Sequence, residues 1–305
     1  MQITGMFLPV PTPFEEDGSI DTSMMRELVD YYIGVGVDAL FIAGSFGNGP
    51  AMSVDERKAL ATVVLEHARA RVPVVIHCGT PDPYTSIDLA KHALAAGADG
   101  VGFVGPYYYA DHSQDEVRMH FKQIGQAIKA PIMLYNNPKY QGYAIGAELM
   151  AKLREDSPQI FGGKLAMGTV GDVKLHRNTL GEDFCIYALS SILFPGMLVG
   201  QSGTISPPLA SMPELGVQLV RAIRNQDFAR ALELQKAVIE FEGALMTPAV
   251  AREAGRGVQL AAMRELGLKI KKYPRWPTGE LSPQRADWLK DVFAKARAAL
   301  AVPVG

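Results

Sequence analysis

Gly36-Val37-Asp38-Ala39-Leu40 carries the chain out of a helix-period segment into a short apolar run, and Gly97-Ala98-Asp99-Gly100-Val101 does the same further on. Each glycine suits a helix C-cap, where the backbone turns left-handed. A second pair travels with the first: Val72-Pro73-Val74-Val75-Ile76 returns as Ala130-Pro131-Ile132-Met133-Leu134. Each proline stands at a strand start, where no ladder N–H is lost. The offsets are similar and match about two βα units, a repetition that favours a closed barrel over an open sheet.

Outward from these repeats, short β-branched runs alternate with helix-period segments. Strands are expected at 6–10, 38–43, 72–77, 100–104, 132–135, 160–164, 185–189 and 204–206, eight in all, and eight parallel strands can close on themselves. Met24, Met25, Leu28, Val29, Tyr32 and Ile33 recur at helical spacing, and Ser53-Val54-Asp55-Glu56 is a capping box for a helix running to Arg71. From Asp227 the pattern is helical, at 227–245, 247–266 and 282–300, with a Pro-rich link at 273–277. The expected architecture is α/β: a (β/α)8 TIM barrel over 1–226 and a small C-terminal helical domain over 227–305.

A chain of 305 residues is the natural size of such a barrel with an appendage, and 48% hydrophobic with 20% charged residues supplies a sizeable core. That composition excludes a disordered, collagen-like or disulfide-scaffold protein. The formal charge is −2, and Lys269, Lys271, Lys272 and Arg275 are too few for a nucleic-acid stripe. They are expected to form an ordinary solvated loop. Cys78 and Cys185 have no second pair and are expected as buried thiols in a reducing compartment. The six histidines show no metal-ligand spacing, so no metal is expected. No stretch approaches the roughly twenty apolar residues of a membrane span. The first residues lead into a Pro-rich segment without a basic and apolar leader. A cytoplasmic protein without nucleic-acid or membrane partners is expected.

In a barrel of this kind chemistry sits at the C-terminal strand ends. The polar residues expected there are Ser45, His77, Tyr108, Tyr135, Lys164, Ser190 and Ser206. Lys164 follows Ile160-Phe161-Gly162-Gly163 and precedes Leu165-Ala166-Met167. Such a lysine either snorkels to water or, desolvated, becomes a nucleophile for carbonyl carbon. Tyr135 ends Leu134-Tyr135 and either packs or relays protons. Gly44-Ser45-Phe46-Gly47-Asn48-Gly49-Pro50 is an ordinary Gly-rich turn or one whose amides hold a carboxylate or phosphate. Its spacing is not a dinucleotide fingerprint, and the lysine of a P-loop is absent.

Taken in order, Val10-Pro11-Thr12-Pro13-Phe14, Gly44-Ser45-Phe46-Gly47, Pro106-Tyr107-Tyr108-Tyr109, Tyr135-Asn136-Asn137-Pro138, Gly163-Lys164 and Gly203-Thr204-Ile205-Ser206 resemble the dihydrodipicolinate synthase and N-acetylneuraminate lyase family of class I aldolases. The resemblance covers nearly the whole chain. It implies a Schiff base between Lys164 and pyruvate or another 2-keto acid, a proton relay through Tyr135 and Ser45, and Tyr108 reaching in from a neighbouring subunit. It also implies substrate contacts at Gly44, Ser45, Phe46, Tyr140 and Ile205, no cofactor, a possible aldehyde co-substrate and a homotetramer built as a dimer of dimers. Gly47-Asn48-Gly49-Pro50 and Tyr107-Tyr108-Tyr109 look most like the 2-keto-3-deoxygluconate aldolases.

The chain departs from the family pattern at four places. Tyr140 stands where dihydrodipicolinate synthase has the arginine that captures its aldehyde's carboxylate. Phe46 replaces a second loop hydroxyl, Leu165 an acid, and Tyr187-Ala188-Leu189-Ser190 an S-G-x-D pattern. The alternatives these leave open are a keto-acid-binding or regulatory paralogue with impaired catalysis, and a family dehydratase or hydratase-aldolase.

Overall fold

The computed structural model describes residues 1–255, 257–271, 275 and 279–301. Each expected strand forms, with no end moved by more than two residues and β4 unmoved: β1 (Gly5–Pro9), β2 (Ala39–Ile42), β3 (Val74–His77), β4 (Gly100–Val104), β5 (Ile132–Asn136), β6 (Ile160–Leu165), β7 (Cys185–Ala188) and β8 (Gly203–Thr204). They pair in parallel in chain order and close through β8 onto β1. The connecting helices are α1 (Thr22–Val35), α2 (Val54–Ala68), α3 (Pro83–Ala95), α4 (Gln114–Ala127), α5 (Pro138–Gln141), α6 (Ala147–Asp156), α7 (Val170–Leu180), α8 (Leu193–Leu198) and α9 (Pro213–Arg224). α10 (Phe228–Leu245), α11 (Pro248–Ala254), α12 (Gly257–Arg264) and α13 (Pro283–Ala301) follow.

The Gly-x-Asp repeats have a structural cause. Gly36 and Gly97 take the left-handed backbone after α1 and α3. Asp38 and Asp99 lie outside the strands, where they had been expected to begin β2 or to precede β4. The Asp38 carboxylate accepts the Met6 N–H at 2.7 Å, and Asp99 accepts that of Val74 at 2.8 Å. Each aspartate therefore ties off the bottom of the strand next door, where a backbone donor would otherwise go unpaired.

Alternation splits the strands between two apolar layers. Phe7, Ala39, Phe41, Val75, Met133, Phe161, Cys185, Tyr187 and Ile205 fill the barrel interior, while Met6, Leu8, Leu40, Ile42, Val74 and Ile76 pack outward against the helices. Phe7 sits edge-on to both Phe41 and Tyr187, at 5.9 and 5.3 Å. Cys78 and Cys185 are both buried free thiols.

Three expectations are corrected. α2 ends at Ala68, short of Arg71, because Arg69 and Ala70 turn left-handed. The helix expected at 247–266 is two, α11 and α12, broken where Gly255 takes a positive φ of 51°. The basic run is not simply solvated: Lys271 pairs with Glu15 and Asp21 at 2.6 and 3.0 Å, and Arg275 pairs with Glu56 at 2.7 Å. Lys272 lies outside the described residues, as does the 273–277 link apart from Arg275. α13 packs back on α10 through Phe293 against Phe241, edge-on at 5.2 Å.

Candidate active site

A β-bulge decides where Lys164 points. Ile132 pairs with Ile160 but Met133 pairs with Gly162, so Phe161 is an extra residue on β6. Side chains alternate along a strand, so one inserted residue reverses the facing of everything after it. Without the bulge Lys164 would share register with Asn136 and point at the helices. With it, Tyr135, Lys164 and Tyr187 stand level on the inner face. Gly162 makes this possible, since a Cβ there would lie 2.6 Å from the Cys185 carbonyl oxygen.

Lys164 Nζ lies over the Tyr135 ring, 4.4 Å from its centroid, and 5.4 Å from that of Phe41. Aromatic faces of this kind hold a cation by their quadrupoles. The electrostatics of Tyr135 follow from its neighbours. Burial pushes the phenol up, but the Lys164 charge and hydrogen bonds from Asn137, Ser45 and Lys164 outweigh it and hold the phenol below its ordinary value. The Asn137 amide Nδ2 donates to the phenol oxygen at 3.4 Å. A phenol lowered in this way is better suited to passing protons than an ordinary one.

Ser45 reaches this group from the loop after β2. Ala43 and Asn48 adopt positive φ of 57° and 61°, and Thr12 Oγ1 donates to the Gly47 carbonyl at 2.6 Å. Gly44 packs so close to Phe41 that a Cβ would come within 2.7 Å of its ring. The loop thus hugs the barrel interior, with Ser45 half-buried above it.

A cavity of about 490 Å³ meets this group at Ser45 and is lined by Ser45, Asn48, Pro50, Ala51, His77, Val104, Tyr107 and Tyr140. Its size and mixed lining are those of a small-molecule site. His77, at the end of β3, stands edge-on to Tyr135 at 5.9 Å. Burial, with the charges of Arg57 and Lys164, holds its imidazole well below the ordinary value. Arg57 is itself buried and donates to the His77 and Gly79 carbonyls at 2.8 and 3.3 Å.

The structure brings Lys164, Tyr135 and Ser45 together, sets Tyr140 and Gly44 at the cavity or its loop, and puts Ile205 in the inner layer. Tyr108 and Phe46 are not among the residues lining this cavity. Tyr108 is 84% exposed, edge-on to Tyr109 at 5.1 Å with a positive φ of 82°, and does not line the cavity of its own chain. Phe46 lines a separate crevice with Pro207, Pro208, Leu245 and Met263. Ser190 and Ser206 are consumed structurally, both donating to the Glu242 carboxylate of α10, Ser190 at 2.5 Å.

Asn137, Arg57 and Glu242 were missed as participants. Glu242 could have been flagged because it falls on the apolar face of α10 with Leu234, Val238 and Leu245. Asn137 stands two residues beyond Tyr135 in the Tyr135-Asn136-Asn137-Pro138 run, which is its signal in sequence, whereas Arg57 gives none, since only the fold brings it to His77.

Among the described residues no group of three or more His, Cys, Asp or Glu is placed to hold a metal ion, and no helix is long and apolar enough to cross a membrane. The model of the dihydrodipicolinate synthetase family matches residues 2–296. A protein of Escherichia coli K12 named a probable 2-dehydro-3-deoxy-D-pentonate aldolase, YjhH, is 32% identical over 296 residues, covering 94% of this chain and 95% of its own. The 4-hydroxy-tetrahydrodipicolinate synthase of Nitrobacter hamburgensis is 32% identical over 96% of each chain. Among solved structures, E. coli K12 YagE in complex with pyruvate superposes with a TM-score of 0.88 at 30% identity, over 96% of this chain and 98% of that one. With the barrel and the strand-end lysine in place, these matches make the assignment: the chain belongs to the dihydrodipicolinate synthetase family and is a carbon–carbon lyase of the class I aldolase type.

Proposed function

We propose that Lys164 forms a Schiff base with the keto carbon of pyruvate or a longer 2-keto acid, in an aldol reaction of the 2-keto-3-deoxy sugar acid type. What chiefly supports this is the placement of Lys164 Nζ 4.4 Å from the ring of Tyr135, whose phenol is held low by that same lysine. The amine adds to the keto carbon, and loss of the keto oxygen as water leaves a protonated imine. In the cleavage direction the C3–C4 electron pair flows into that imine to give an enamine. The C4 hydroxyl proton passes to Tyr135 and an aldehyde leaves; C3 is then protonated and water releases the keto acid.

Tyr135 and Ser45 carry the proton relay in this reading. The backbone around Gly44 and Ser45, with Ile205 opposite, holds the keto-acid carboxylate, and Tyr140 lines the aldehyde side. Tyr108 acts on a neighbouring subunit's site, in a homotetramer built as a dimer of dimers. Catalysis belongs to residues 1–226, with 227–305 as a helical appendage, and the enzyme works in the cytoplasm without a cofactor.

Borohydride trapping with pyruvate and longer 2-keto acids, followed by peptide mapping, tests this. A stable adduct on Lys164 is expected. No adduct with any acid in folded protein would overturn the reading, and product analysis separates aldol cleavage from dehydration.

A further inference from the structure

The segment from Asn136 to Ile145 is a closed loop with a buried side chain at its centre. Gln141, at the C-terminal end of α5, is 1% exposed and is not among the residues lining the cavity. Its Nε2 donates to Asn136 Oδ1 and to the Tyr143 carbonyl, both at 2.8 Å, and its Oε1 accepts the Asn137 N–H at 3.4 Å. Asn136 passes the tie on: its Nδ2 donates to the Ile145 carbonyl at 2.8 Å and its Oδ1 accepts the Ile145 N–H at 3.0 Å. Both ends of the loop therefore meet at the paired amides of Asn136 and Gln141, which satisfy backbone groups that a four-residue helix leaves open. The outer side is fixed as well. Tyr143 donates its hydroxyl to the Pro106 carbonyl at 2.7 Å, and Gly142, at a positive φ of 86°, lies so close to Ala110 that a Cβ would come within 2.4 Å of its side chain.

Two side chains leave this loop for the site. Tyr140, the residue before Gln141, lines the cavity. Asn137 caps α5 by accepting the Lys139 N–H on Oδ1 at 3.1 Å, which leaves its Nδ2 to donate to the Tyr135 phenol oxygen. The cap thus decides which end of that amide faces the phenol. A helix of four residues has no stability of its own, so both side chains keep their places only while the loop does.

We propose that Gln141 is a positioning residue: from outside the cavity it sets the Asn137 amide against the Tyr135 oxygen and the Tyr140 ring against the cavity. The inference rests on the aldolase reading, in which Tyr135 relays protons and Tyr140 lines the aldehyde side. Gln141 itself transfers no proton. Burial pushes the Tyr135 phenol up, the Lys164 charge draws it down, and the Asn137 donor that Gln141 delivers adds to that lowering.

The test titrates Tyr135 in the full chain by its phenolate absorbance, as the difference between each protein and its Tyr135→Phe counterpart. Gln141→Leu, close in volume and without side-chain hydrogen bonds, should raise the midpoint by about one pH unit. Asn137→Ser should do the same, since its hydroxyl keeps the cap but is too short to reach the phenol. The double variant should shift no further than either single one, because both remove the same donor. Lys164 and His77, the other titratable groups facing Tyr135, stand on β6 and β3 and are left in place. In the condensation of pyruvate with glyceraldehyde, Gln141→Leu should also raise the aldehyde KM about fivefold through Tyr140, while pyruvate trapping on Lys164 persists. An unmoved midpoint in Gln141→Leu, or additive shifts in the double variant, would overturn the proposal. Asn137 is only half-buried, so an unmoved midpoint in Asn137→Ser overturns it even if Gln141→Leu does not fold. Failure of wild-type trapping with every keto acid would strike the aldolase reading instead and leave the titration standing.

Discussion

The rim of the barrel has two halves that look alike in sequence and differ in use. On one side Ser45, His77, Tyr135 and Lys164 turn inward or line the cavity, with Tyr135 hydrogen-bonded to Ser45 and Lys164. On the other, Ser190 and Ser206 spend their hydroxyls on Glu242, while Gln235 donates to the Ser190 carbonyl at 3.0 Å and accepts the Phe194 N–H at 2.7 Å. Ile205 faces the interior and Ser206, one residue on, reaches out to α10. A strand-end hydroxyl is thus chemical or structural according to which layer its parity selects and whether a helix has already claimed it.

The contrast is sharpest at Lys164. Lys164→Ala should abolish the borohydride adduct and cut turnover by about 10⁴-fold or more with the circular dichroism unchanged; retained turnover would break the division. Tyr135→Phe, on the same side, should lower kcat by about 10²–10⁴-fold while the adduct still forms in single-turnover trapping. Across the rim the readout changes from rate to stability. Glu242→Ala leaves two buried hydroxyls without an acceptor and should cost about 1–3 kcal/mol in urea unfolding. Its pyruvate adduct should persist.

The same carboxyl gives a pH test. Burial raises the Glu242 pKa, and the hydrogen bonds from Ser190 and Ser206 only partly offset this. A carboxyl raised above its ordinary value of 4.5 contributes its full stability below that value and loses it as pH rises through the folded pKa. The Tm of the wild type relative to Glu242→Gln should therefore fall as pH rises across that window. Parallel Tm curves would show that the carboxyl does not titrate there. The smallest effect is expected for Ser190→Ala, about 0.5–1.5 kcal/mol by the same unfolding measurement, with kcat unchanged.

Much of the barrel is legible because its signals are local: Gly36 and Gly97 announce helix ends and Pro73 and Pro131 strand starts. Lys164 and Tyr135 are legible as strand-end residues for the same reason. What sequence does not disclose is facing. The bulge at Phe161 is a register fact between two strands, and nothing in Ile160-Phe161-Gly162-Gly163 alone says which residue is the extra one. Phe46 shows the same limit, since its neighbour Ser45 reaches the cavity while its own ring goes to Pro207 and Leu245. Glu242 lies outside the barrel strands, and its bonds cross 52 and 36 residues of sequence. Lys271 and Arg275 look like a solvated run until folding sets Glu15, Asp21 and Glu56 against them.

The seam between β8 and β1 has a consequence in time. It holds two registered pairs, Gly5 with Gly203 and Met6 with Thr204, and Gly203 passes so near Gly5 that a side chain would collide with its backbone. On the ribosome β1 emerges first and its partner last among the strands, so the nascent chain carries a sheet with an unpaired edge for most of its synthesis. Ile205 is the residue immediately beyond that last strand. A chain that stops short of Gly203 thus lacks both the strand that closes the barrel onto β1 and the Ile205 side chain of its interior.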